Sequence, residues 1–305
     1  MSTSLNRARN KKNDEFYTCM SDVEEELVHY DFTNKIIYCN CDSPFMSNFY
    51  NFFRNNFDRL RLKKLVATCL TSNQKVEYFG HNKKIISPLN NYGDFRSSDC
   101  VDILKEADCV VTNPPFSLFR EFISLLIEND KQFLVLGNIN AITYKNIFKL
   151  VMENKIWLGY RQLNKDMYFN VPADIQKWLV ENKKEGSAYK IINNKVMGRL
   201  ASACWFTNID HNKRHKIMDT GYKYNESYAK YDNYNIINVD KIKEIPMDYC
   251  GIMGVPITYM AIHNPEQYDI LGIANSARYI GQECITKING KKIYNRILIK
   301  KRPTP

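Results

Sequence analysis

The chain has 305 residues, of which 44% are hydrophobic and 25% charged, so it exceeds the usual size of one domain and can bury a substantial core. Its 43 basic and 33 acidic residues leave a formal net charge of +10, which favours an anionic partner such as nucleic acid. No stretch approaches the roughly 18 apolar residues that cross a bilayer, and the N-terminal residues lack the apolar core of a signal peptide, so we expect a cytoplasmic protein that does not bind membranes.

The first half of the chain alternates short apolar runs with amphipathic stretches. Four runs are apolar or β-branched throughout, which is typical of strands buried on both faces: residues 35–41, 64–70, 109–113 and 133–138. Amphipathic helices are predicted over residues 44–60, 99–107, 117–129 and 143–153. This alternation predicts an α/β fold with a parallel sheet covered by helices on both faces.

The later part of the chain is less regular. Residues 155–159 and 202–209 predict two further strands, whereas residues 160–200 are rich in Lys and Asn, lack a clear period and are interpreted as an insertion or loop. We place a domain boundary near residue 210.

The positive charge is concentrated in the second half. Residues 1–150 hold 19 basic and 18 acidic residues, so nine of the ten net charges lie in the remainder. Residues 211–216 and 223–235 interleave Lys and Arg with Asn and Tyr, and residues 288–302 read as a hairpin ending in cations. These residue types suit contacts to phosphates and bases, although a solvated basic surface on an ordinary domain is the alternative.

The cysteine and histidine patterns do not predict a metal site. The nine cysteines lie mostly inside strand-like runs, which favours reduced, buried thiols, and the Cys39-x-Cys41 spacing is not that of a zinc site. His211 and His215 have the spacing of helical metal ligands, but the two cations between them favour phosphate contact or plain exposure.

The most informative stretch is "DCVVTNPPFSLFREF" (residues 108–122). Asn113 follows a predicted strand, and each proline forces the residue before it into an extended conformation. The side-chain oxygen of Asn113 and the carbonyl of Pro114 can then both accept hydrogen bonds from one exocyclic amine, while Phe116 can stack on the ring that bears it. The pattern predicts an amine-reading site; the alternative is a Pro-Pro turn that only ends a strand.

These four residues resemble the [DNS]-P-P-[YFW] motif of amino-methyltransferases that use S-adenosylmethionine. The surrounding sequence is similar to the EcoRI-type adenine-specific (N6) DNA methyltransferases. The resemblance covers nearly the whole chain and is carried, in order, by "DEFYT" (14–18), "YCNCDSP" (38–44), "GDFRSS" (93–98), "VVTNPPFSLF" (110–119), "NKIWLG" (154–159), "YDNYNIINV" (231–239) and "GIMGVPITY" (251–259).

The resemblance implies a Rossmann-like methyltransferase sheet with a smaller, basic target-recognition region. Residues 1–210 would then form the S-adenosylmethionine-binding catalytic domain, with 160–200 as an insertion, and residues 211–305 the DNA target-recognition region. The implied reaction is methyl transfer to the N6 amine of an adenine rotated out of double-stranded DNA, as in a restriction-modification methylase. The implied enzyme acts as a monomer and needs no metal.

The resemblance also implies roles for individual residues. The catalytic cluster would be Asn113, Pro114, Pro115 and Phe116. The cofactor would be bound by Phe16, Tyr17 and Thr18 at its methionine moiety, by Asp42 at its amino group, and by Asp94 and Phe95 at its adenine. The first motif lacks the usual glycines, and the second strand is followed by Thr68, Thr71 and Ser72 where a ribose-binding carboxylate is common. DNA contacts are expected from Arg214, Lys291, Lys292 and Arg296.

Two other functions are compatible with the same motif. An RNA or protein-glutamine methyltransferase can use the same amide-proline cluster, and a non-catalytic DNA-binding relative can keep the fold. Phe116 and the basic second half favour the DNA enzyme. The recognised bases do not follow from the sequence, and the resemblance makes GAATTC the first duplex to test.

Overall fold

The computed structural model describes residues 17–163, 165–274 and 287–303. Its strands, in chain order, are β1 (Tyr17–Thr18), β2 (Ile36–Cys39), β3 (Lys64–Ala67), β4 (Gln74–Tyr78), β5 (Lys84–Pro88), β6 (Cys109–Thr112), β7 (Gln132–Asn138), β8 (Trp157–Leu158), β9 (Met167–Asn170), β10 (Tyr189–Ile192), β11 (Lys195–Leu200), β12 (Ala203–Thr207), β13 (Lys230–Tyr231), β14 (Tyr234–Asn238), β15 (Ile252–Pro256), β16 (Tyr268–Ala274), β17 (Lys287–Ile288), β18 (Lys291–Lys292) and β19 (Arg296–Lys301).

The α-helices are α1 (Met20–Leu27), α2 (Asn48–Asn55), α3 (Ser98–Glu106), α4 (Phe119–Glu128), α5 (Lys145–Met152) and α6 (Ala173–Asn182). The chain divides into two compact units. The first unit holds residues up to 138 and residues 161–209, and the second holds residues 139–160 and those from 210 onward. Residues 139–160, which the sequence analysis placed in the first domain, therefore belong structurally to the second unit.

The first unit is built on a mixed sheet. Seven of its strands follow the order β5-β4-β3-β2-β6-β7-β12. The four strands predicted from apolar runs, β3, β2, β6 and β7, are mutually parallel and lie at its centre. The flanking strands β4, β5 and β12 are antiparallel to their neighbours, so the α/β class is confirmed but the sheet is mixed, not purely parallel.

Helices cover both faces of this sheet. Ile37 and Cys39 of β2 face the core cluster that contains residues of α1 and α2, where the Phe49 ring meets Trp205 of β12 edge-on with centroids 5.6 Å apart. On the opposite face, the ring of Phe119 of α4 packs on the ring of Phe206 of β12, with 4.9 Å between the ring centroids. Successive side chains of each strand point to opposite faces and pack into apolar layers on both sides of the sheet. This explains why the sequences of these strands are continuous apolar runs.

Residues 160–200, which the sequence analysis interpreted as an insertion or loop, contain regular secondary structure in the first unit. They contribute β9, α6, β10 and β11, and a small antiparallel sheet runs β1-β9-β11-β10. Asn193 and Asn194, at φ 49° and 59°, form the two-residue turn between β10 and β11. Asn tolerates this left-handed region, and two such residues in succession favour a hairpin.

The second unit contains a five-stranded sheet in the order β13-β14-β15-β19-β16. The pair β14 and β15 is parallel and the other pairs are antiparallel. The hairpin predicted near the end of the chain is β17–β18, and β19 follows it into the sheet. A Cβ at Gly254 would overlap the hydroxyl of Tyr231, so glycine is required for that ring to cross β15.

The cysteine prediction is confirmed for the part of the chain that the structure describes, where all eight cysteines are free thiols and five are buried. In the same part, no helix has the length and apolar character that crossing a membrane requires.

Candidate active site

The Asn-Pro-Pro-Phe segment lies directly after β6. All four residues of β6 are buried, and the chain leaves the sheet through Asn113, Pro114 and Pro115 before a short 3-10 helix over Phe116–Leu118 leads into α4. The Pro115 carbonyl accepts from the Leu118 amide at 3.0 Å, which fixes the start of this helix. The prolines hold the exit from the strand extended, so the Asn113 side chain is presented at the carboxyl edge of the sheet.

A pocket in the first unit opens at this edge. It is lined by Thr18 and by residues 40–43, 47–49, 70–71, 93–96, 113, 115 and 118. Strands β3, β2 and β6 are adjacent and parallel, so the segments that follow them meet at one edge of the sheet. The fold therefore brings together six residues predicted from sequence: Thr18, Asp42, Asp94, Phe95, Asn113 and Pro115.

Asp42 is buried at the base of this pocket and is held by two hydroxyl groups. Ser47 Oγ donates to Asp42 Oδ1 at 2.7 Å, and Thr112 Oγ1 donates to Oδ2. The Ser47 oxygen also accepts from the Phe49 amide at 3.1 Å and so caps α2. The carboxylate is therefore fixed by the first residues of α2 and by the end of β6.

The cysteine beside Asp42 is not an activated nucleophile. Burial raises the pKa of the Cys41 thiol well above its ordinary value, and the negative charge of Asp42 raises it further. A thiol in this environment stays protonated at neutral pH. The surroundings of Cys41 therefore favour the neutral thiol over the thiolate that nucleophilic catalysis requires.

Asp94 and Arg96 form a bidentate pair at another wall. Arg96 Nε donates to Asp94 Oδ1 at 2.9 Å and Nη2 donates to Oδ2 at 2.7 Å. The hydrogen bond from Arg96 is the main cause of the lowered pKa of Asp94, so this carboxylate is ionised and acts only as an acceptor. Phe95 is buried between this pair and α4. Its ring meets the Phe122 ring edge-on, with 5.0 Å between the ring centroids.

Gly93 sets the position of that wall. A Cβ there would lie 2.7 Å from the backbone nitrogen of Cys69 and 2.8 Å from its carbonyl carbon, which real side chains do not tolerate. The Gly93 amide donates to the Ser72 carbonyl at 2.9 Å. This close approach joins the loop after β3 to the residues that carry Asp94 and Phe95.

Thr18 provides a polar group that lacks a partner. It is 3% exposed and lines the pocket, yet its Oγ1 makes no hydrogen bond to any described residue. Its carbonyl accepts from Asn48 Nδ2 at 2.7 Å, so its backbone is fixed to α2. Buried hydroxyls are normally hydrogen-bonded, which makes Thr18 Oγ1 a candidate ligand contact.

The remaining residues of the predicted site have different positions. Phe16 lies outside the described residues, and Tyr17 is described only by its backbone, which pairs with Asn170 in β9. Pro114 is buried and lies outside the pocket lining. Phe116 also lies outside it, half-buried, and packs partly against the core cluster of the first unit.

Comparison with known proteins identifies the family. A family model described as "Adenine-specific methyltransferase EcoRI" matches residues 4–87 and 79–302. The chain belongs to the EcoRI adenine-specific methyltransferase family.

Three relatives extend this similarity over the whole length. Type II methyltransferase M.EcoRI of Escherichia coli is 43% identical, covering 98% of this chain and 96% of that protein. Type II methyltransferases M.MgeORF184P of Mycoplasma genitalium and M.MpnI of Mycoplasma pneumoniae are 40% and 38% identical, each with 98% of both chains covered. No solved structure matches the chain. The protein is thus an adenine-specific methyltransferase of the Type II class.

For this member of the EcoRI methyltransferase family, the basic residues chosen from sequence fall into two groups. Lys291 and Lys292 form β18 and are exposed. Arg296 is mostly buried, and its Nε donates to Asn238 Oδ1 at 3.2 Å. Arg214 is 8% exposed, and its guanidinium stacks on the Trp157 ring with 3.8 Å between Cζ and the centroid. Arg214 therefore stabilises the second unit, and we leave it out of the proposed DNA contacts.

Sequence reasoning missed several polar residues of this pocket. Asn40, Ser47, Asn48 and Arg96 all line it, and of the three hydroxyl residues considered for the ribose only Thr71 does so. Ser47 had a detectable signal, because Ser before an amphipathic helix is a typical N-cap. Arg96 directly follows the predicted Asp94 and Phe95 but carries no local signature of its ion pair.

Proposed function

We propose that the first unit binds S-adenosylmethionine in the pocket described above and transfers its methyl group to the N6 amine of an adenine extruded from double-stranded DNA. We also propose that the enzyme acts as a monomer in the cytoplasm. The observation that carries it is the meeting of Asn113 with Asp42, Asp94 and Phe95 in one pocket at the carboxyl edge of parallel strands. Family membership supports the reaction class.

The residues of the pocket fit the proposed cofactor. Asp94 is an ionised acceptor suited to the adenine amine, and Phe95 offers an apolar wall beside it. Asp42 suits the cofactor's ammonium group, and the unpartnered Oγ1 of Thr18 suits a polar group of its methionine moiety. Of the three hydroxyl residues considered for the ribose, Thr71 lines the pocket and would bind it.

When bound, S-adenosylmethionine supplies an electrophilic methyl group with a good leaving group. The chain's own task is to orient and polarise the target amine. Asn113 Oδ1 and the Pro114 carbonyl would accept hydrogen bonds from the two amine protons, which favours a tetrahedral nitrogen with an available lone pair. Because these acceptors are held by a Pro-Pro exit from a buried strand, little reorganisation is needed as charge develops.

Phe116 and the second unit would handle the DNA. An adenine inside a duplex cannot reach a pocket, so the base must leave the stack, and the half-buried ring of Phe116 would replace part of the lost stacking. In the second unit, the exposed lysines of β18 would neutralise phosphates.

The test is methyl transfer from tritiated S-adenosylmethionine to DNA, RNA and protein in parallel, followed by nucleoside analysis of the labelled product. We expect label only in N6-methyladenine of duplex DNA, starting with a GAATTC duplex and extending to random-sequence duplexes. Asn113→Ala, for which we expect turnover about 10²–10³-fold slower, is assayed in parallel. Label in RNA, in protein or in a methylated cytosine would overturn the proposal.

A further inference from the structure

The β17–β18 hairpin in the second unit is too short to be stable without contacts to the rest of the unit. Each strand has two residues, and a two-stranded hairpin of this length is not stable alone in water. Its turn residues Asn289 and Gly290 have φ of 50° and 73°, the two positive values of a tight hairpin turn. Something outside the hairpin must therefore stabilise it.

Asp232 provides that support from the turn between β13 and β14. Its Oδ1 accepts from the Asn289 amide and its Oδ2 from the Gly290 amide, both at 2.8 Å. Its own amide donates to the Lys287 carbonyl at 3.0 Å. One residue thus makes three hydrogen bonds to the hairpin, two of them charge-assisted at the turn.

Apolar packing completes the attachment on one face. Ile288 and Ile293 pack against the core cluster formed by Tyr231, Ile236, Ala274 and Leu298. Because side chains alternate along a strand, Lys287 and Lys292 point to the opposite face. Tyr294, two residues after Lys292, is 86% exposed.

The outward face is electrostatically unfavourable for an isolated protein. Lys287 and Lys292 are directly paired across the two strands, and like charges in this position destabilise a sheet. Within the described residues, neither of them nor Lys291 forms an ion pair with a carboxylate. The carboxylate of Asp232 is directed at the backbone of the turn and not at these lysines.

We propose that the β17–β18 hairpin is a DNA-contacting ribbon whose lysines neutralise phosphates, and that Asp232 is the positioning residue that holds this ribbon in its binding geometry. A polyanion removes the repulsion between Lys287 and Lys292, and two-stranded ribbons fit the major groove of duplex DNA. The inference rests on the proposed function, which makes DNA the substrate. It explains why an acidic residue lies among the lysines of a DNA-binding surface.

The test compares Asp232→Asn with Glu128→Gln in the full chain. Both variants remove one negative charge, but Glu128 lies at an exposed position of α4 in the other unit. Charge removal alone predicts equal or tighter DNA binding. Loss of positioning predicts weaker binding, with the slope of log affinity against log salt flattened by about 1.8, because two phosphate contacts at about 0.9 each are lost.

The kinetic readout separates positioning from folding. For Asp232→Asn we expect a higher KM for duplex DNA with kcat at saturating DNA retained, and partial recovery in Asp232→Glu, which keeps a carboxylate. Lys287→Gln combined with Lys292→Gln leaves the Asp232 contacts intact and should flatten the slope by the same amount. This double lysine variant therefore tests whether the hairpin contacts DNA even if the Asp232→Asn chain does not fold.

An unchanged salt slope in Asp232→Asn, or binding that tightens as in Glu128→Gln, would overturn the positioning role. An unchanged slope in the double lysine variant would overturn the ribbon contact itself. These outcomes are distinct from failure of the proposed function, because that failure is seen in the unaltered enzyme as an absence of N6-methyladenine in DNA.

Discussion

Replacing Asn113 by Ala is the sharpest test of the proposed amine-reading role. Asn113 follows a strand whose four residues are all buried, and two prolines hold the backbone after it. Ala therefore removes one acceptor while the Pro114 carbonyl keeps its place. Loss of one preorganised polar group of this kind lowers kcat by about 10²–10³-fold, equivalent to about 2.7–4 kcal/mol.

The expected effect lies on the chemical step. The amine becomes more positive only as the methyl group transfers, so Asn113 Oδ1 contributes more in the transition state than in the bound ground state. We expect kcat and kcat/KM to fall together while the affinity for duplex DNA changes little. Single-turnover methyl transfer gives the rate, and fluorescence anisotropy with a labelled duplex gives the affinity.

Asn113→Asp is the matched control, because it keeps an acceptor oxygen in the same position and matches the first residue type of the motif that the segment resembles. It should retain more activity than Asn113→Ala. Normal turnover by Asn113→Ala, or a loss confined to DNA affinity, would refute the amine-reading role.

Three further outcomes are expected. Phe116→Ala should weaken capture of the extruded base by about 1–3 kcal/mol, and a mismatch opposite the target adenine should rescue it but not Asn113→Ala; equal rescue of both would contradict the stacking role. Gly93→Ala should destabilise the protein by about 1–3 kcal/mol in thermal unfolding, because its Cβ meets backbone atoms of Cys69, and an unchanged Tm would show that the loop can shift freely. Arg96→Gln should let the lowered pKa of Asp94 rise toward its ordinary value of 3.8. Because only the ionised carboxylate accepts the hydrogen bond, cofactor affinity measured by calorimetry should be lost at a higher pH on acidification than in the unaltered enzyme. If the pH at which affinity is lost does not change, Asp94 is not the contact.

Local signals explain why the central strands and the Asn-Pro-Pro-Phe turn were predictable. Strands buried on both faces form nearly continuous apolar runs, so β2, β3, β6 and β7 can be recognised without knowing their neighbours. Proline restricts the residue before it through covalent geometry alone. The position of Asn113 at the end of β6 follows from these two facts.

The small sheet over residues 160–200 was missed for the opposite reason. Its strands β9, β10 and β11 are short and half-exposed, so their burial depends on α6 and on each other, not on composition. The Asn193–Asn194 turn was the one local sign of a hairpin there.

Arg214 shows the same dependence for a single side chain. A basic run in a basic half of the chain indicates an exposed surface. The fold instead places Arg214 over Trp157 and beside Asp210, whose Oδ1 lies 3.4 Å from Nη1. No pattern within residues 211–216 reports these partners.

The amino-acid sequence by itself determined the α/β class, the central strands, the Asn-Pro-Pro-Phe turn and the family, because each depends on local residue types or on their order along the chain. Tertiary structure alone added Ser47, Asn48 and Arg96 to the pocket, because the segments that carry them come together only in the folded sheet and helices. It also brought the carboxylate of Asp232 to the backbone amides of a hairpin turn more than 50 residues away in the chain. Hydrogen bonds and ion pairs between distant segments depend on angstrom-scale geometry that only the packed sheets and helices provide.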